Sequence, residues 1–600
     1  MLCPMLCLHV STPVAGLLPK LPNLGSLAAS HPPIALLSCS PGRWLLQQEP
    51  KNGTDGGVLP KTPVGVAAVT GPTLGSPAGT SPGASPAAEG GPAPATALPA
   101  APIGLPANPI DTASASAVKI FAELTPPDYS SPWQRGASQS VTASGVMVQG
   151  PQGEPWIITN AHAVDWATSV QLKRAWDDRK YDARLLAMAR DGDLALLTVD
   201  DPQFWQGAVF ATLAASLPSP RDRLTIVGYP LGGDTVSVTS GIVSRIDVVP
   251  YSFSSRVLLA IQTDAAINGG NSGGPALNDR GECVGLAFES MKSSSAELVG
   301  YIIPIPIINH FLSDIRANGT FTGFPSLGVQ QAYQVPAGQG GLLAQRVGPV
   351  GSSAGHLQKG DVLQRFDGIE VASDGTVPFG QHSRIDLGYL IASKFVGSNA
   401  TLGILRDGRP LDVNVTMKTP NYLVQTYLEA PPPYLLVAGL LFNILSEPYL
   451  RSEYGDTLRQ DAPATLLDLL YYGSKNTSDQ QVVVLSKVFS SDATAGLEDF
   501  SAMTPGSRNV RLLRFQGQPV VSLPQLAAAV AATQSDPFLR FDVDHDEVVI
   551  LESAAVGRST QQVMRAHAIP SAMSADLAQS TTAAGAAGPA SEVEAFSGMP

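Results

Sequence analysis

From about residue 118 onward, short runs of β-branched and apolar residues recur, each broken off by turn residues, and this pattern limits the fold more than anything else in the chain. The runs lie at 145–148, 156–159, 193–199, 224–228, 257–262, 283–288 and 300–305. Regularly spaced runs of this length predict an all-β barrel or sandwich. A stretch at 307–315 has apolar residues at helical spacing and predicts a closing helix. One such unit cannot account for 600 residues, since a single core serves about 100–200. Two further units are expected at 325–420 and 430–560, each mixing strands with helical stretches. The first unit is placed at 113–320.

The ends of the chain have a different texture. Residues 49–112 are dominated by Gly, Pro and Ala, and 575–600 by Ala, Ser and Gly. Such segments bury too little apolar surface to offset chain entropy, so both are expected to be disordered. Residues 1–48 contain no acid; the first is Glu49. With their hydroxyl residues they read as an organelle transit peptide, chloroplast first and mitochondrion as the alternative. Pro4, Pro13, Pro19 and Pro22 interrupt what a secretory signal would keep apolar.

The formal charge of −13 argues against broad nucleic-acid binding, which needs clustered Lys and Arg. No apolar run reaches the ~18–20 residues of a membrane-spanning helix. The longest, 434–445, is short, contains Gly439 and Asn443, and reads as ordinary core. Peripheral membrane contact stays open. Cys3, Cys7 and Cys39 fall near the start, leaving Cys283 alone in the folded part as a buried small hydrophobe.

The chemistry concentrates in Asn268-Gly269-Gly270-Asn271-Ser272-Gly273-Gly274-Pro275. A nucleophilic serine needs an exposed hydroxyl, a neighbouring base and backbone N–H groups aimed at the developing oxyanion. Flanking glycines let the loop turn such amides inward, and those of Gly270 and Ser272 are the expected donors. An ordinary Gly-rich turn would look similar, and so would the G-x-S-x-G elbow of α/β-hydrolases. The elbow places its histidine after the serine. Here the best-placed histidine is upstream: His162, delivered by the strand-like 156–159 into a turn of small residues. His9 and His31 lie in the presequence, and the other five follow the serine. The third member is Asp193, an acid leading into the apolar run Leu194-Ala195-Leu196-Leu197. Asp191 is its nearest competitor. The order His, Asp, Ser is that of the chymotrypsin architecture.

Four motifs carry a resemblance. They are Thr159-Asn160-Ala161-His162, Asp193-Leu194-Ala195-Leu196-Leu197, Val227-Gly228-Tyr229-Pro230, and Asp264-Ala265-Ala266-Ile267-Asn268 with the serine loop. Together they resemble the Deg/HtrA (DegP-like) serine proteases. Pro127-Asp128-Tyr129-Ser130 and Ser240-Gly241-Ile242-Val243-Ser244-Arg245 look more narrowly like the plant chloroplast members. The resemblance runs over about 119–577. It implies a mainly β fold, a chymotrypsin-like double β-barrel followed by two PDZ-like domains, and an ATP-independent endopeptidase that degrades damaged or misfolded proteins. It implies the triad His162, Asp193 and Ser272, no cofactor and no metal, and an assembly built from trimers. Gly269 stands where the family commonly has proline, and Ala163 where it has a bulkier residue. In trypsin-like enzymes an acid six residues before the serine selects Lys or Arg. That position here is Ala266, so Ala266 and Asn268 are expected to line a pocket for small or aliphatic side chains.

Within 325–420, the stretch Leu357-Gln358-Lys359-Gly360-Asp361 through Asp367-Gly368 resembles the PDZ signature of this family. Leu327, Gly328 and Val329 would then receive a peptide terminus, the peptide adding a strand to a sheet edge. The last unit is a more divergent PDZ-like domain with its candidate loop at 437–442, and assembly takes priority there over substrate capture. The competing reading of the whole chain is a chaperone or peptide-binding scaffold whose proteolysis is weak or gated.

Overall fold

The computed structural model describes residues 108–586 apart from 231–232, 234, 294–295, 333–339, 498–508 and 534. The expected transit peptide, most of the expected linker and residues 587–600 lie outside the described residues.

The described chain opens with a short helix, α1 (Pro109–Ser114), where the reading of 49–112 expected none to begin. Asn108 caps it, Pro109 presets its first turn and Ala113 is buried. Seven strands then form one sheet. They are β1 (Ala117–Leu124), β2 (Gln139–Gln149), β3 (Pro155–Thr159), β4 (Ala167–Arg174), β5 (Tyr181–Asp182), β6 (Arg184–Ala189) and β7 (Leu194–Thr198), in the order β5-β4-β1-β2-β3-β7-β6. β7 is flanked on both sides, and its four apolar residues are all buried. That is why it reads as an unbroken apolar run rather than an alternating one.

Six more strands close into a barrel. They are β8 (Arg223–Gly228), β9 (Ser237–Pro250), β10 (Val257–Thr263), β11 (Pro275–Leu277), β12 (Cys283–Ser293) and β13 (Ala296–Pro304), in the order β10-β13-β12-β11-β8-β9. Cys283 is fully buried, and burial pushes its thiol up to about 12, which makes it a packing group rather than a nucleophile. The run expected to continue as strand to residue 305 stops at Pro304, which begins helix α2 (Ile305–Asn318). Ile305, Ile308 and Phe311 face inward at helical spacing, and Gly319 ends the helix in the left-handed conformation (φ 74°).

The next strands form a second sheet in the order β14-β15-β16-β20-β21, with β17 paired to β16. They are β14 (Val329–Ala332), β15 (Leu342–Val347), β16 (Val362–Phe366), β17 (Ile369–Glu370), β20 (Asn399–Arg406) and β21 (Arg409–Thr416). A separate hairpin, β18 (Thr376–Phe379) and β19 (Ser383–Asp386), and helix α3 (Gly388–Ala392) complete this part. The β16–β17 reversal has Asp367 at φ 48° and Gly368 at φ 80°, the positive pair a tight two-residue hairpin demands.

The last sheet runs β22-β23-β24-β25-β27-β28, with β26 (Gln518–Pro519) paired to β25. Its members are β22 (Tyr434–Val437), β23 (Leu440–Ile444), β24 (Val483–Val488), β25 (Val510–Phe515), β27 (Phe538–Val543) and β28 (Val548–Glu552). Helices α4 (Glu447–Tyr454), α5 (Leu458–Asp461), α6 (Ala464–Tyr472), α7 (Leu523–Ala532) and α8 (Ser553–Ala566) pack around it. The run at 434–445 is indeed core: β22 and β23 are buried throughout. The free edge of β22 is covered by residues 572–574. Leu436 N–H donates to the Ala572 carbonyl at 2.7 Å, and Ser574 N–H donates to that of Tyr434 at 3.1 Å.

A further helix, α9 (Ala575–Ala586), occupies the start of the segment expected to be disordered. Alanine favours helix, and Leu577 is almost fully buried in the core that also holds Leu523 and Leu526 of α7. That one anchor offsets the low apolar content of its surroundings.

Candidate active site

β3 carries the chain into a single 3₁₀ turn, Ala161–Ala163, and His162 sits at its centre. Ala161 and Ala163 are fully buried, so the turn is packed from both sides. The His162 ring stays about one-third exposed. Asp193 stands at the entry to β7, the strand beside β3. Its carboxylate takes both available donors of the histidine. His162 Nδ1 lies 2.7 Å from Oδ2, and the His162 backbone N–H donates to Oδ1 at 2.9 Å. Asn160 Nδ2 donates to the Asp193 carbonyl at 3.1 Å. Asp193 is 1% exposed while its partner ring reaches solvent, the arrangement that fixes an imidazole's orientation and favours its protonated form. Asp191 is placed elsewhere: its Oδ2 accepts the Phe324 N–H at 3.0 Å. The two acids thus hold different partners.

Ser272 comes from the loop between β10 and β11, and strand β2 ties it to the histidine side. Ser144 N–H donates to the Ser272 carbonyl at 2.9 Å, and Ser144 Oγ–H donates to that of Gly270 at 2.7 Å. Ser144 Oγ also accepts the Tyr229 N–H at 2.8 Å, and the Ser144 carbonyl accepts the Thr159 hydroxyl at 2.7 Å. One buried residue therefore ties the serine loop to Thr159, just ahead of the histidine turn. Gly273 is wedged into the same junction. A Cβ there would lie 2.2 Å from the Ser144 carbonyl oxygen, 2.4 Å from Thr159 Oγ1 and 3.2 Å from the Asn160 nitrogen. With φ at +82° only glycine fits.

Ser272 is half-buried, and its hydroxyl lies 3.4 Å from the Phe288 carbonyl oxygen. Neither the Gly270 nor the Ser272 N–H donates to a partner among the described residues. The neighbouring amides are engaged: Asn271 N–H donates to Asn268 O, and Gly273 N–H donates to Ala287 O. Ala266 is partly buried and its carbonyl accepts the Thr239 hydroxyl; Asn268 is exposed. Asp264, the acid two residues before Ala266, accepts the Ile242 N–H at 2.7 Å.

Of the more distant candidates, Leu327 is buried and its carbonyl accepts the Ser353 N–H. Gly328 adopts φ 70°, and Val329 starts β14, a strand at the edge of its sheet. The loop at 437–442 is instead the tight turn of the β22–β23 hairpin. Its Ala438 N–H is taken by Thr560 Oγ1 at 2.8 Å, and β23 is paired on both sides. Ser144 was not found from the sequence. It lies 126 residues from Gly270, and no local pattern marks it.

Residues 143–286 match the family model of the trypsin-like peptidase domain, and residues 424–576 match that of the PDZ domain. The chain is 40% identical over 471 residues to Protease Do-like 2, chloroplastic, of Arabidopsis thaliana, a span covering 77% of this chain and 75% of that one. It is 31% identical over 474 residues to Protease Do-like 4, mitochondrial, of the same plant, covering 77% and 85%. To the periplasmic serine endoprotease DegP of Escherichia coli it is 29% identical over 292 residues, covering 46% and 56%. The length and depth of the first two matches, on a mainly β chain with trypsin-like and PDZ domains, place it in a family: the protein belongs to the Do-like (Deg/HtrA) serine proteases and is a serine endopeptidase.

Proposed function

We propose that Ser272 is the nucleophile, His162 the general base and acid, and Asp193 the group that orients the imidazole. The observation that carries this reading is the double contact of the Asp193 carboxylate with His162, next to a serine loop held by Ser144. Ser272 Oγ attacks a peptide carbonyl as His162 takes its proton. Asp193 supports the imidazolium, and the Gly270 and Ser272 amides receive the oxyanion. His162 then protonates the leaving amine, and water releases the acyl-enzyme.

The substrates on this reading are damaged or misfolded proteins, cut without ATP. Ala266 and Asn268 border the pocket for the side chain preceding the cut, and the missing acid favours small or aliphatic residues. A peptide library cleaved mainly after Lys or Arg would refute that preference. We assign 113–320 to the protease domain, 325–420 to a first PDZ domain and 430–560 to the second. Leu327, Gly328 and Val329 receive peptide termini along the edge of β14. The second PDZ domain, whose candidate loop is closed by its own chain, serves assembly into trimers or hexamers. The working compartment is the chloroplast, in line with the name of one relative; import of the full-length chain into isolated organelles tests it.

The central test is Ser272→Ala. Among the described residues the Ser272 hydroxyl has one long contact, so the fold is expected to persist while casein cleavage falls by about 10⁴–10⁶-fold. Fluorophosphonate labelling of the parent should map to Ser272. Cleavage that survives the substitution would sink the assignment, and full biological function without cleavage would favour the scaffold reading.

A further inference from the structure

Asp193 has φ 51°, a left-handed conformation uncommon for side-chain-bearing residues, though aspartate tolerates it better than most. Its own N–H makes a long 3.3 Å contact with the Arg190 carbonyl, which constrains it weakly. His162 and Asn160 hold its carboxylate and carbonyl, and a second set of constraints lies two residues back. Asp191 is 4% exposed; its carbonyl accepts the Ser254 hydroxyl at 2.8 Å, and its Oδ2 accepts the Phe324 N–H at 3.0 Å. Between the two acids, Gly192 lies beneath the Phe324 ring, where a Cβ would come within 2.8 Å of a ring carbon.

Phe324 does not belong to the trypsin-like sheets. It lies in the link between α2 and β14, and it is anchored from the far side. Arg256 Nη2 donates to the Phe324 and Pro325 carbonyls at 3.0 and 3.2 Å, and its Nη1 reaches the Tyr422 hydroxyl at 3.3 Å. The Phe324 ring packs against His310 (4.6 Å between centroids), and His310 stacks on Phe395 near the end of α3 (4.3 Å). A continuous row of contacts thus runs from the unit after the protease region to the peptide beside Asp193.

We propose that Asp191 is a positioning residue for the catalytic reaction: by docking on Phe324 it makes the aim of Asp193 at His162 depend on how the link to the first PDZ unit is held. This rests on the reading of Asp193 as the orienting acid. A carboxylate with almost no exposure is an expensive choice if all that is needed is packing. Burial raises the Asp191 carboxyl above its usual range, while Arg256 and the Phe324 N–H act the other way. Tyr427 also faces it. Beside Asp191 is a cavity of about 470 Å³, bordered by Arg190, Arg256, Tyr422, Tyr427 and Glu429, so the loop has room to shift when the clamp is lost.

The test compares Asp191→Ala, Asp191→Asn, Phe324→Leu and Asp193→Asn in the full-length chain. Active sites are titrated with a fluorophosphonate, and kcat, KM and the pH profile are measured on one peptide. Asp191→Ala is expected to lower kcat per titrated site about tenfold with KM within about twofold. The acidic limb of kcat/KM should move to lower pH, because a misaimed Asp193 stabilises the imidazolium less. Asp191→Asn keeps an oxygen for the Phe324 N–H and should recover most of the rate. Should Asp191→Ala fail to fold, Phe324→Leu carries the same expectation through Gly192. A purely structural tie would lower the melting temperature while leaving kcat per site and the acidic limb unchanged, and that result overturns the proposal. Asp193→Asn separates the two readings: if it retains full rate, the triad assignment fails, whatever Asp191 does.

Discussion

Replacing Gly273 by alanine puts the smallest side chain into the tightest place in the site. The new methyl would start 2.2 Å from the Ser144 carbonyl oxygen, a backbone atom that cannot swing away. Ordinary contact begins near 3.4 Å, so one of the two backbones must yield by about 1 Å. The φ of +82° adds about 1–2 kcal/mol of strain for any L side chain. Ser144 is itself fixed by Tyr229, Thr159 and Gly270, so the serine loop is the part that moves. It carries Ser272 and both amides proposed to meet the oxyanion. A 1 Å displacement costs about 10²-fold, and loss of one oxyanion donor about 10²–10³-fold. The expected fall in kcat is therefore at least about 100-fold, with a melting temperature a few degrees lower. Peptide turnover, fluorophosphonate labelling rate and a thermal scan on one preparation suffice. A folded Gly273→Ala protein within about fivefold of the parent would refute the claim that this junction aligns the serine.

Ser144→Ala removes the donor to Gly270 and leaves the Tyr229 N–H without its acceptor, so it should cost about 1–3 kcal/mol in urea unfolding and slow turnover more than it weakens binding. A change confined to KM would count against this. His310 gives a pH signature, because burial holds its imidazole down at about 4, against the ordinary 6.5. Below pH 6.5 the unfolded chain takes up a proton that the folded chain refuses, so stability falls as pH drops toward 4, by up to about 3 kcal/mol, and is unaffected above 6.5. Urea unfolding of the parent and His310→Phe at pH 7 and 4.5 should show the parent losing more; equal losses would refute the assignment.

Much of the site was legible because its signals are local. An acid just ahead of an apolar run and a histidine just after one both follow from strand ends, and neighbouring strands β3 and β7 bring those ends together. Asp193, not Asp191, meets His162, and for a reason no string could supply. Asp191 is anchored just as firmly, to Phe324, which lies 133 residues later. Ser144 was invisible for the same reason: its partners come from distant strands, and a serine before a glycine is common. Composition misled at the far end. Ala-rich 575–586 averages to a weakly apolar segment, yet buried Leu577 helps dock it as a helix. The PDZ readings divide likewise. The turn chemistry at Asp367-Gly368 is visible in two letters, whereas pairing on both sides of β23 depends on β24 and on a hairpin partner.

The cover that residues 572–574 lay along β22 has a bearing on how the polypeptide is made. Strand β22 leaves a ribosome, or an import pore, with its outer carbonyls and amides bare, and its lid follows 140 residues later. At about 5–20 residues per second that interval lasts roughly 7–30 s. Throughout it the nascent domain carries a sticky rim of the kind that recruits strands from neighbouring chains. A message truncated just short of codon 572 would make that exposure permanent, yielding a chain prone to clump.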